Sequence, residues 1–244
     1  MRALVVALWL ALWLVPSFAR ADTDWQGLAD KLQGGTWLHY ELTALHAVRE
    51  EAPVKLRDLT LAGVRLHGFI STHRVGYLIG LDLAAGATTR TAGFAYDVAL
   101  LPVGAAVKLG DSQFIGIGAG VGAMGAVGTL DDAVTFPVEA FAELGLGKRL
   151  RVLARARASW LAGAPGRRSG SPTFGFADEV EGTLGLRIGH HYHEYNVPSG
   201  NGYFAGVSYR ELLGAKFVGL VIGYSIDMAT PRHGRIGRSD HDDE

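Results

Sequence analysis

Three stretches of this 244-residue sequence hold residue types that could do chemistry. The densest is 189–194, where His190, His191 and His193 stand beside Glu194. Neutral imidazoles with a carboxylate can hold a divalent metal. The spacing does not suit a helical zinc motif, and in a strand His191 and His193 share one face while His190 lies on the other. At most two of them converge without help from another strand. His67 and Ser71 also share a strand face, with His73 nearby, which are the ingredients of a hydrolase pair. They stand two strand steps apart, whereas a base must reach its nucleophile at about 3 Å. Gly120, Gly122 and Gly125 match the G-x-G-x-x-G spacing that lets a backbone approach a pyrophosphate. That fingerprint has meaning only between a strand and a helix. Here the glycines continue backwards through Gly118 and Gly116 at every second residue, as one face of a strand. No catalytic residue, cofactor site or metal site is assigned.

A larger set of ionisable residues reads as structural. Arg65, Arg155, Arg157, Arg187 and Arg210 stand against Asp82, Asp97, Glu139, Glu143, Glu181 and Asp227, on the faces opposite the apolar ones in their segments. Charges of both signs inside a narrow barrel form a neutralised ion-pair network that fills the lumen. Phe141, Phe204 and Phe217 add bulk to the same face.

The elements that carry these residues show period two. In 75–88 the odd positions Val75, Tyr77, Ile79, Leu81 and Leu83 are apolar, while Gly76, Gly80, Asp82 and Gly86 are small or charged. In 137–147 Val138, Ala140, Ala142, Leu144 and Leu146 oppose Glu139, Phe141, Glu143 and Gly145. In the next segment Val152, Ala154, Ala156, Ala158 and Trp160 oppose Arg151, Arg155, Arg157 and Ser159. Such alternation marks strands. A three-residue loop at 148–150 would set Gly147 against Arg151, Glu143 against Arg155 and Phe141 against Arg157. Strands are expected near 59–71, 75–88, 93–108, 113–127, 136–147, 151–162, 179–193, 202–212 and 214–228. A tenth falls at 36–46, where Leu38, Tyr40, Leu42 and Ala44 alternate with Trp37, His39, Glu41 and Thr43. A helix over 23–48, suggested by Trp25, Leu28 and Leu32, would leave eight strands instead. Tyrosines near the later strand ends would meet a membrane interface.

Composition narrows the class. Thirty-four glycines argue against a helical bundle, since each costs about 1 kcal/mol in a helix interior. A net charge of −1 gives no basic excess for nucleic acid. With no cysteine, thiolate metal sites and disulfides are excluded. Met1 and Arg2, the apolar run 3–15 and Ala19-Arg20-Ala21 form a signal peptide of residues 1–21, cleaved before Asp22. A lead-in at 22–35, a barrel at 36–228 and a polar tail at 229–244 complete the division.

Taken together, the signal, the short turns, the glycine-rich alternation and the apolar last strand resemble those of small bacterial outer-membrane β-barrel proteins. The resemblance is architectural and covers most of the mature chain. It departs at the C-terminus, where Met228 is followed by a polar tail instead of a closing aromatic residue. It implies an all-β, antiparallel transmembrane barrel of ten strands, or eight, in the outer membrane. Its partners would be lipid, lipopolysaccharide and the barrel-assembly machinery. The leading reading is a non-enzymatic barrel with a structural or surface-interaction role and a largely plugged lumen. The others are a barrel enzyme acting on lipid or lipopolysaccharide, and a soluble periplasmic β-protein binding apolar ligands. The loop at 164–178, with Arg167 and Arg168, offers a place for ligand contact.

Overall fold

A computed structural model describes residues 33–49, 58–71, 75–88, 93–110, 113–127, 132–146, 149–162, 176–194, 197–212 and 215–230. The expected signal peptide, most of the lead-in, the loop residues 163–175 and the tail from 231 lie outside them. Ten antiparallel strands follow one another in order: β1 (Gln33–Arg49), β2 (Asp58–Ser71), β3 (Val75–Thr88), β4 (Phe94–Gly110) and β5 (Gln113–Val127). Then come β6 (Asp132–Leu146), β7 (Leu150–Ala162), β8 (Glu179–Glu194), β9 (Val197–Leu212) and β10 (Ala215–Thr230). β1 pairs with β10 from Gly34↔Thr230 to Arg49↔Lys216 and closes the barrel. The count is therefore ten, and residues 33–48 are strand, not helix. Closure removes both sheet edges, so every strand has a partner on each side.

The alternation in the sequence becomes the two walls of the barrel. Leu42, Leu66, Ile79, Ile117, Leu184 and Leu220 point outward and are exposed, while Leu45, Phe69, Leu78, Phe114 and Phe217 point inward and are buried. At about 3.3 Å per residue and a tilt near 40°, strands of this length are long enough to cross an apolar band of about 25 Å.

A bulge in β4 and the register of one hairpin are not given by alternation. β4 carries a bulge: residues 102–104 stand against 78–79 of β3, and 101–102 against 120 of β5, so β4 has one residue more than each neighbour around Pro102. Pro102 lacks the N–H that a ladder needs, so the extra residue sits where the loss is harmless. The Tyr77 hydroxyl donates to the Pro102 carbonyl there. The β6–β7 hairpin also pairs two residues away from the register expected from sequence. Gly145 faces Arg151, Phe141 faces Arg155 and Glu139 faces Arg157, while Glu143 faces Leu153. A shift of two keeps every side chain on its own face, so the hydrophobic pattern fits both registers equally.

Three layers fill the inside. At the end carrying the β1–β2, β5–β6 and β7–β8 connections, Leu45, Leu59, Leu61, Met124 and Phe217 cluster. At the opposite end Trp37, Phe69, Leu78 and Phe114 pack together, with Phe141 against them. The rings of Trp37 and Phe114 lie 4.7 Å apart, and those of Phe69 and Phe114 meet edge to face at 5.4 Å. Between these apolar layers lie the charges. Gly116 makes room for the ring of Phe141, since a Cβ there would stand 2.5 Å from Cε1.

On the outer wall, Tyr40 faces Tyr224 and Tyr224 faces Tyr203 in one cross-strand row. The rings of Tyr203 and Tyr224 lie 4.9 Å apart. These tyrosines sit well within their strands instead of at the ends, and the rings of Tyr203 and Tyr224 meet edge to face.

Candidate functional site

The inward face of seven strands, β1 to β4 and β6 to β8, with Arg210 from β9, brings carboxylates and guanidiniums together in mid-lumen. Arg155 reaches three different strands. Its guanidinium donates to Asp82 Oδ2 on β3 at 2.9 Å, Glu139 Oε2 on β6 at 2.7 Å and Glu181 Oε1 on β8 at 2.9 Å. Arg65 donates to Glu41 at 2.5 Å and to Glu181 at 3.0 Å. Arg157 and Arg210 both donate to Asp97 Oδ2. Arg157 also lies 3.7 Å from Asp82 and 3.8 Å from Glu181, and Arg210 lies 3.6 Å from Glu181. A smaller cluster has Glu143 between Arg151 and Arg187, the latter at 3.2 Å, and Arg187 also donates to Ser225 Oγ at 3.0 Å.

Among the described residues the charges of the two clusters balance. Glu41, Asp82, Asp97, Glu139, Glu143 and Glu181 stand against Arg65, Arg151, Arg155, Arg157, Arg187 and Arg210. Burying isolated charges is prohibitive, whereas a connected lattice of charge-assisted hydrogen bonds recovers most of the desolvation cost. Planar guanidiniums suit this role because each presents several donors in a fixed fork. His67 joins the lattice from β2, with Nε2 3.4 Å from Glu139 Oε1 and its ring stacked on Phe141 at 5.0 Å. Beside it lies a cavity of about 80 Å³ bordered by Trp37, Arg65, His67, Phe141 and Phe204.

Ten of the eleven lumen residues marked from sequence belong to these clusters: Arg65, Asp82, Asp97, Glu139, Glu143, Arg155, Arg157, Glu181, Arg187 and Arg210. Asp227 lies on β10 opposite Trp37 and Gly200, but its side chain is outside the described residues. So are the side chains of Ser71, His190, His191 and His193. Glu41 and Arg151 also belong to the network and are absent from the set expected from sequence, although both alternate on the inward face of their strands. His67, which sequence spacing offers as half of a hydrolase pair with Ser71, points its ring into the lumen toward Asp82 and Glu139. The glycine run of β5 is a lumen wall: Gly116 and Gly118 face Phe141 and Glu139 of β6. Of the loop at 164–178, residues 176–178 are fastened to β7, with Trp160 Nε1 donating to the Phe176 carbonyl and Leu161 N–H to Asp178.

This geometry permits comparison with known proteins. The chain is similar in fold to porin and autotransporter structures. The NanC porin aligns with 80% of this chain and 98% of its own, at 7% identity and a TM-score of 0.40. The β-domain of the Bordetella autotransporter BrkA aligns with 79% of this chain and 98% of its own, at 14% identity and a TM-score of 0.37. Neisserial surface protein A aligns with 80% of this chain and 96% of its own, at 9% identity and a TM-score of 0.31. Similarity at this level assigns no function. No protein-family model matches the sequence, and neither does any curated protein.

Proposed function

We propose that this protein is a non-enzymatic barrel of the bacterial outer membrane, exported by a cleaved signal peptide, with a structural or surface-interaction role and a closed lumen. The observation that carries this reading is Arg155, whose single guanidinium ties β7 to carboxylates on β3, β6 and β8 across the bore. The outward row of large exposed apolar residues supports a lipid environment, with lipopolysaccharide as the outer-leaflet partner. The barrel-assembly machinery would insert the chain. The hydrolase alternative loses support because His67 is 5% exposed and stacks on Phe141 inside the lumen.

Purified protein reconstituted into planar bilayers is expected to give no steady open-channel current in potassium chloride. A stable, voltage-independent conductance from the wild type would contradict the closed lumen.

A further inference from the structure

Three polar atoms inside the barrel face one another without a hydrogen-bond partner among the described residues: His67 Nε2, Asp82 Oδ1 and Glu139 Oε1. They come from β2, β3 and β6, and their residues are 5%, 4% and 0% exposed. The three lie within 4.8 Å of one another, with Nε2 3.4 Å from Glu139 Oε1 and 3.8 Å from Asp82 Oδ1. Buried polar atoms normally find partners, and three orphans pointing at one spot mark a place where something is held.

We propose that His67, Asp82 and Glu139 bind a divalent transition-metal ion, with Zn²⁺ the best match. Ligand atoms about 2.1 Å from a tetrahedral zinc stand about 3.4 Å apart, close to the two spacings seen here. One imidazole with two carboxylates is a donor set that zinc accepts, and it leaves a fourth position for water. Of the three ligands, His67 borders the lumen cavity.

The surroundings already orient these ligands. Arg155 holds the far oxygens, Asp82 Oδ2 and Glu139 Oε2, so that Oδ1 and Oε1 turn toward His67. Phe141 fixes the plane of the imidazole from one side. Such outer contacts set the direction of metal ligands. Gly80, paired with His67 across β2 and β3, leaves space for the ring, since a Cβ there would stand 2.7 Å from its Cδ2. Charge points the same way. Among the described residues of the larger cluster five carboxylates, Glu41, Asp82, Asp97, Glu139 and Glu181, meet four guanidiniums, a local excess of one negative charge beside His67 that only the smaller cluster, with Glu143 against Arg151 and Arg187, balances.

The test uses the full barrel refolded in detergent, its folding checked by migration before and after boiling, stripped with chelator and titrated with Zn²⁺ alone by calorimetry. One ion per barrel is expected, with affinity reduced at least tenfold in His67→Asn and in Glu139→Gln. A variant with His190, His191 and His193 all changed to Ala should bind as the wild type does. X-ray absorption at the zinc edge of the wild type should show one imidazole among oxygen ligands. The proposal is overturned if folded wild-type protein takes up no stoichiometric ion, if His67→Asn binds unchanged, or if the absorption spectrum shows two or more imidazoles. Should either substituted barrel fail to fold, the wild-type spectrum decides. Loss of this site would leave the closed lumen intact, because that rests on the arginine clusters.

Discussion

Arg155→Ala should destabilise the folded barrel by about 3–5 kcal/mol, read as a lower midpoint in guanidinium unfolding from detergent or lipid. Removing the guanidinium leaves Asp82, Glu139 and Glu181 close together in the lumen, each short of its nearest positive partner. Breaking one side of a buried ion pair is far worse than deleting both, because the orphaned charge keeps its desolvation cost. An internal control separates burial from mere contact. His46 and Asp58 also meet at 2.8 Å, but the His46 side chain is 72% exposed. His46→Ala should therefore cost less than about 1 kcal/mol. Equal losses in the two variants would show that the lumen lattice contributes no more than a surface pair.

Ile222→Arg should cost about 2–4 kcal/mol in a lipid bilayer, the penalty for a cation near the membrane midplane on the outer wall of a barrel. Ile222 lies near the middle of β10 and is 57% exposed, flanked in register by Leu42 and Ala205. In a soluble protein an exposed isoleucine tolerates such a change within about 0.5 kcal/mol. The same substitution thus distinguishes lipid from water on that face. An unfolding curve in lipid that coincides with wild type would place Ile222 against solvent.

Much of this molecule is legible in its sequence because period two is unambiguous over long stretches. In β3 the alternation of Leu81 and Leu83 with Gly80 and Asp82 assigns both walls at once. In β1 the inward set Trp37, His39, Glu41 and Thr43 identifies the tenth strand before any contact is known. Two kinds of information are lost. Parity cannot fix register, which is why the β6–β7 hairpin fits equally well with Arg155 opposite Glu143 or opposite Phe141, and the structure has the latter. Nor does alternation expose the bulge at Pro102, where β4 changes the parity of its inward residues from Leu101 to Ala106.

The site is legible by composition but not by partner. Acids on β6 and arginines on β7 announce pairing between neighbours, and Glu139 does face Arg157 in the ladder. Yet the short contacts of Arg155 include β3, four strands away, because the closed wall folds inward-facing side chains across the bore. His67 meets Glu139 for the same reason. Nothing along the chain relates residue 67 to residue 139; closure of the barrel does.

The most direct test of the whole reading is fractionation of cells expressing the full chain, followed by gel migration of unboiled and boiled samples. Recovery in the outer membrane, with a folded form that migrates differently until boiled, is expected of a ten-stranded transmembrane barrel. Release with the periplasmic fraction as a heat-insensitive species would contradict it and make the apolar outer wall the surface of a soluble β-protein.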